Sequence, residues 1–254
     1  QRPPFDNVNV RKALNYAVDK EMMNETIFEG TYNISTGLST SYVTGFKGND
    51  PYPYDPEEAR RLLEEEGLVD TNGDGYREWQ GKESEFVMYT RAGQRPGDIE
   101  IAEQFQAFMA EVGLNVRVEI IEAGQFFAIL RGHIGEGRDP EYHFSNQAPA
   151  NFSGDMSFIL EALYSTWAWP PNLFNDIYYS NEEVDALIKA GNIAGSLAER
   201  DEYYAKAQDI IWDEAATVWL LDGILSLGTS PHLRGIFGDG AHNVWVIKYA
   251  WFDK

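Results

Sequence analysis

The strongest constraint on this chain is the alternation of strand and helix through its middle. Residues 85–90 read Glu-Phe-Val-Met-Tyr-Thr, an apolar strand segment. Residues 99–111 form a helical pattern that stops at Gly113. Residues 115–121 set Val116, Val118 and Ile120 against polar neighbours, the two-residue period of a strand. Residues 125–134 return to a helical pattern, and 142–145 to a short strand. Such alternation layers helices on a sheet, so the predicted class is α/β, a mixed β-sheet flanked by helices.

The flanks carry clear start and stop signals. Val8, Ala13, Leu14, Ala17, Val18 and Met22 recur at helical spacing behind a possible cap at Asp6 or Asn7. They predict one helix running to about Phe28 and ending before Gly30. Residues 31–53 are rich in Gly, Ser, Thr, Asn and Pro and read as irregular. In the next helix Asp55 is the cap, Pro56 takes the first position, Glu58 completes a capping box and Gly67 is the stop. Residues 157–164, 181–190 and 197–213 predict three more helices, and 218–221 a short buried strand. From about residue 225, glycines punctuate aromatic strand fragments. No internal repeat or low-complexity tract is present.

Charge and composition remove several functions. The net charge is −21, from 41 acidic and 20 basic residues. A surface of that sign repels nucleic acid and anionic lipid, so no nucleic-acid partner is expected. It favours solubility, and it also fits a salt-adapted protein. Cysteine is absent, which removes disulfides, thiol catalysis and cysteine metal sites. No apolar run approaches the ~18 residues of a membrane helix. Gln1-Arg2-Pro3-Pro4 is not a signal peptide, so the targeting segment of an exported protein is expected upstream.

Several segments, taken in order, resemble the peptide/nickel class of extracytoplasmic solute-binding proteins of ABC importers, the family 5 oligopeptide- and dipeptide-binding proteins. They are Val10-Arg11-Lys12-Ala13-Leu14-Asn15-Tyr16-Ala17-Val18-Asp19-Lys20, then Tyr54-Asp55-Pro56-Glu57-Glu58-Ala59 through Leu63 to Gly67. Asp70-Thr71-Asn72-Gly73-Asp74-Gly75, Gly113-Leu114-Asn115-Val116, Asn181-Glu182-Glu183-Val184 and residues 200–214 follow. The resemblance implies a periplasmic-binding-protein type II-like lobe at residues 1–224. Residues 225–254 would be a segment that in the family returns to the first lobe, leaving Trp245, Tyr249, Trp251 and Phe252 without their packing partner. It further implies a C-terminal fragment whose N-terminal lobe is missing. The whole would be extracytoplasmic, periplasmic or anchored at the cell surface. It would be non-catalytic and without cofactor, and would deliver a peptide or a neutral polar solute such as an oligosaccharide to an ABC permease.

The same resemblance places the ligand after the short strand at 142–145. Peptide binders of the family hold the peptide amino group there with an acidic residue, through a charge-assisted hydrogen bond. Here Asn151 stands in that register, with Asp155 four residues later. Asn146, Gln147 and Asn151 both donate and accept, which suits a neutral polar solute whose faces stack on nearby rings. His143 and Ser145 lead into this segment. Phe126 opens the preceding helix where relatives often place an aromatic, and Trp167 and Trp169 stand in an irregular loop as stacking platforms. Each has a plainer reading: the amides as an Asx-type turn, the rings as core, the histidine as structural.

Other chemistry is weaker. Asp70, Asn72 and Asp74 match the first half of a calcium loop, with Glu78 as a further candidate ligand. Gly81 stands where the loop requires a bidentate Glu, so a tight turn is the simpler reading. Metalloprotease, nucleophile-elbow, P-loop and dinucleotide motifs are absent. Two alternatives fit the composition. One is a carbohydrate-active domain, glycosidase or glycan-binding module, given 7 Trp, 14 Tyr and the acid excess. The other is a calcium-dependent interaction module.

Overall fold

The first helix forms where the sequence supplies a cap. In a computed structural model, which describes residues 3–93, 95–132, 142–147, 153–224, 227–239 and 244–253, Asn7 accepts from the Asn9 amide and opens α1 (Val8–Ala17). The single helix expected to Phe28 is in fact two. Val18 is extended, and Asp19 accepts from the Met22 amide to start α2 (Lys20–Phe28). The buried Lys20 ammonium fixes the break. Its Nζ donates to the carbonyls of Asn15 and Val18 and to that of Tyr52. Orphan carbonyls at the end of α1 are thus satisfied by a cation.

After α2 come β1 (Asn33–Ile34), a long irregular stretch, and α3 (Pro56–Glu65). Asp55 accepts from the Glu58 amide as expected. The second half of the capping box does not form. Glu58 faces Arg61, and the Asp55 amide donates to the Tyr16 carbonyl, which docks α3 on α1. A short antiparallel ribbon, β2 (Leu68–Val69) with β3 (Glu78–Trp79), follows.

The centre of the molecule is β4 (Glu85–Ala92), α4 (Asp98–Glu111), β5 (Asn115–Glu122), α5 (Ala123–Gly132) and β6 (Phe144–Ser145). The strands lie in the order β5-β4-β6, both pairings parallel, with Glu85 opposite Asn115 and Met88 opposite Phe144. Among the described residues antiparallel pairing is confined to separate ribbons, so pairing directions mix across the molecule rather than within this sheet. β4 is buried on both faces, as the middle strand of a parallel sheet must be. Phe86 and Met88 face the core shared with α1, α3 and α4. Val87 and Tyr89 face α5 through Phe126 and Leu130. Gly113, at φ +82°, closes α4: its amide donates to Ala110 and that of Leu114 to Met109, the paired bonds of a Schellman motif.

A second layer is helical. α6 (Met156–Ile159) widens into a π-turn at Leu160–Tyr164 and is followed by α7 (Glu182–Asn192) and α8 (Leu197–Asp213). Its core joins Ile159, Leu160, Tyr164, Val184, Ile188, Ile211 and Trp212. The chain then passes back to α1. Arg11 donates to the carbonyls of Phe5, Asp6, Glu214 and Ala215, while Asn15 donates to Thr217 and accepts from Trp219. β7 (Leu221–Asp222) then pairs with β1. The last described residues form two ribbons, β8 (Leu233–Arg234) with β11 (Trp251–Phe252) and β9 (Phe237–Asp239) with β10 (Val244–Val246).

Candidate ligand-binding face

In an open parallel α/β sheet the strand carboxyl ends, and the loops that leave them, form the natural ligand face. Here that edge is made by Ala92 of β4 and Ser145 of β6, followed by the β4–α4 and β6–α6 loops. One residue ties the two loops together. The Asn146 amide donates to the Asp98 carbonyl at 2.9 Å, which also accepts from the Thr90 hydroxyl at 2.8 Å. Gln147 donates to the Ser145 hydroxyl at 3.0 Å. Ser145, Asn146 and Gln147 are therefore brought together at the strand ends, half-buried, but their amides already serve the protein.

Two arginines at this corner were not singled out from the sequence. Arg91 is 2% exposed, donates from Nε to Asp98 Oδ2 at 3.2 Å, and lies over the rings of Phe126 and Phe127 at 4.8 and 5.1 Å. Its Nη1 has no partner among the described residues. Arg95 is half-buried. Burial, and then the neighbouring Arg91 charge, hold its pKa below the ordinary arginine value. Both stand at the amino end of α4, whose N-cap is Gly97 with no side-chain cap, so the helix dipole adds to the positive potential. The signal was present: an arginine ends an apolar strand, and Arg95-Pro96-Gly97 precedes the helix.

The remaining candidates lie elsewhere. Phe126 is fully buried, in the core beneath Arg91 rather than on the face, because the first turn of α5 packs inward on β4. His143 Nδ1 accepts from the Val87 amide at 3.0 Å, and the ring meets Phe5 and Phe86 edge-on. Trp169 donates to the Tyr179 carbonyl at 2.7 Å, and Trp167 packs on the helical core under Lys189. Both tryptophans thus brace the loop that precedes α7. Asn151 lies outside the described residues. Asp155 caps α6 through the Ser157 amide and pairs with Arg200 at 3.0 Å.

In the calcium-like turn, Asp70, Asp74 and Glu78 each offer an oxygen within 4.8 Å of the others. All three already accept hydrogen bonds within the turn: Asp70 from Gly73 and Gly75, Asp74 from Tyr76, and Glu78 from the amide and hydroxyl of Thr71. Asn72 accepts from the Asp74 amide. These bonds hold the turn.

A parallel sheet with helices on both faces and an open carboxyl edge has the fold of a lobe of the type II periplasmic-binding-protein kind. The chain belongs to the bacterial extracellular solute-binding proteins, family 5, whose middle-region model matches residues 1–185. The glutathione-binding protein GsiB of Escherichia coli (strain K12) is 31% identical over 237 residues, covering 92% of this chain and 43% of that protein. The chain thus spans less than half the length of the curated relatives it matches. Among solved structures, the oligopeptide-binding protein AppA of Bacillus subtilis, in complex with a nonapeptide, superposes with TM-score 0.80 at 18% identity, covering 100% of this chain and 49% of that one. A dipeptide-binding protein of Pseudoalteromonas sp. SM9913, in complex with Met-Leu, gives 0.79 at 22%, covering 99% and 46%. No helix among the described residues is long and apolar enough to cross a membrane.

Proposed function

We propose that the whole protein is the non-catalytic binding component of an ABC importer, working outside the cytoplasm, and that it captures a short peptide-like solute carrying a carboxylate. The observation that carries this reading is the pair of arginines at the strand ends: Arg95 and Arg91, the latter paired with Asp98 but with Nη1 unpartnered among the described residues, flank a helix amino terminus that has no side-chain cap. Charge-assisted bonds from guanidinium groups to carboxylate are short and directional. The names of relatives agree with a peptide-like solute. A wholly neutral solute fits less well, because Asn146 and Gln147 are engaged in holding the loops.

Closure over the solute, in this reading, involves a second lobe outside this chain, and the closed form delivers its cargo to a membrane permease. Residues 225–254 leave the lobe at 1–224 and pack on that second lobe. The exposed Phe237, Tyr249, Trp251 and Phe252 support this assignment.

A heteronuclear NMR titration with glutathione, Met-Leu and a neutral disaccharide tests the solute class. Weak shifts are expected at Arg91, Arg95 and Asn146 with both peptides and none with the disaccharide. Shifts from the disaccharide alone would sink the peptide assignment. Turnover of chromogenic glycosides would favour the carbohydrate-active alternative.

A further inference from the structure

We propose that Arg131, Phe127, Phe174 and Asp176 form a pH-sensitive clasp that seats the helical layer on α5. Arg131, in the last turn of α5, lies over the ring of Phe127 at 4.7 Å and over that of Phe174 at 4.6 Å. Its Nε donates to Asp176 Oδ1 at 3.4 Å. Phe174 in turn meets Phe158 of α6, with ring centroids 6.4 Å apart. Two hydroxyls span the same joint. Tyr142 donates to the Asp176 carbonyl at 3.5 Å and Tyr178 to the Leu130 carbonyl at 3.3 Å. Because Phe127 also carries Arg91 at 5.1 Å, this stack of alternating cations and rings ends beneath the ligand face. It does not depend on which solute is bound.

Asp176 makes the clasp titratable. Its side chain is buried, and Oδ2 has no partner among the described residues. A buried carboxylate held by one long ion pair is destabilised in its charged form. Burial pushes its pKa up, and Arg131 only partly opposes this. Native Asp176 therefore binds a proton more readily than the unfolded chain does. Its contribution to stability is greatest below the ordinary carboxylate range and declines as pH rises through its native value. Among the described residues, the charged and titratable groups facing it are Arg131 from α5, Tyr142 from the segment before β6 and Tyr178 from its own loop. Tyrosines ordinarily titrate near pH 10, outside that window. Mild acid thus stabilises the fold at this joint while neutralising Asp176, whose ionised pair with Arg131 fixes position rather than adding stability.

The test is the thermal midpoint of the full chain between about pH 4 and pH 8 for wild type, Asp176→Asn, Arg131→Ala and the double variant. Asp176→Asn is expected to raise the midpoint at neutral pH by about 2–4 °C and to flatten part of the wild-type gain on acidification. Arg131→Ala is expected to lower it, and the double variant to regain most of that loss, because no buried charge is left unpaired. An Asp176→Asn midpoint lowered at neutral pH as far as that of Arg131→Ala would overturn the proposal. So would an acid profile that Asp176→Asn leaves unchanged. If Arg131→Ala does not fold, the Asp176→Asn profile decides alone.

Discussion

The layer around α1 and β4 and the ribbons at 227–253 are both rich in apolar residues, yet they end in opposite environments. Around α1 and β4, Val10, Leu14, Phe86 and Met88 are buried. The polar groups buried with them are satisfied by Arg11, Asn15 and Lys20. In the ribbons, Phe237, Tyr249, Trp251 and Phe252 are half exposed or more, and among the described residues the strands pair only two by two. Two-stranded ribbons are marginal unless something packs on them. Aromatic content alone does not make a core; a facing surface does, together with partners for every buried polar group.

The largest break in this comparison is expected from Arg11→Met, which keeps volume and removes the donors to four carbonyls. A loss of about 3 kcal/mol in urea unfolding is expected, since buried carbonyls are left without partners. A loss under about 1 kcal/mol would show that α1 is not what fastens the two ends of the lobe. Gly191→Ala comes next, at about 2 kcal/mol, because a Cβ there runs into the Tyr204 ring between α7 and α8. Recovery in Gly191→Ala/Tyr204→Leu, read from the same unfolding curves, would confirm that the clash is with the ring.

A smaller, pH-dependent effect is expected at Lys20. Burial lowers its ammonium to about 8 from 10.5, with Asp19 opposing. The native state therefore holds fewer protons than the unfolded chain between those values, and stability from this group rises with pH across them. Burial raises Tyr52 to about 12, which acts in the opposite sense above its ordinary value near 10. Subtracting the profile of Lys20→Met from that of wild type isolates the lysine; a flat difference would remove the argument. The smallest effect is expected in the ribbons. Trp251→Ser and Phe252→Ser are expected to move the unfolding free energy of the lobe by no more than about 0.5 kcal/mol and to reduce self-association in sedimentation. A large loss of stability would mean that the ribbons are part of this lobe's core.

Much of the fold was legible because its signals are local. The strand at 115–121, the helix at 197–213 and the cap at Asp55 each depend on residues a few positions apart. The break of the first helix was not legible, because the carbonyls that hold Lys20 include Tyr52, thirty-two positions away. For the candidate face, the sequence pointed to the loop after β6 but not to the two arginines beside it. Arg91 belongs to that face only because Asp98, Phe126 and Phe127 converge on it. Phe126 and Trp169 looked available for a ligand because inward and outward rings carry the same letter.

By itself the sequence determined the α/β class, the order of the elements and the lobe's likeness to solute-binding proteins. Periodicity, capping and glycine stops act within one or two turns of chain. Only the tertiary structure decided which polar side chains are consumed in holding the molecule together and which keep unfilled hydrogen-bonding capacity. That choice rests on burial and on hydrogen-bond partners brought together from distant positions. An asparagine that faces solute and one that braces a loop differ in surroundings, not in chemistry.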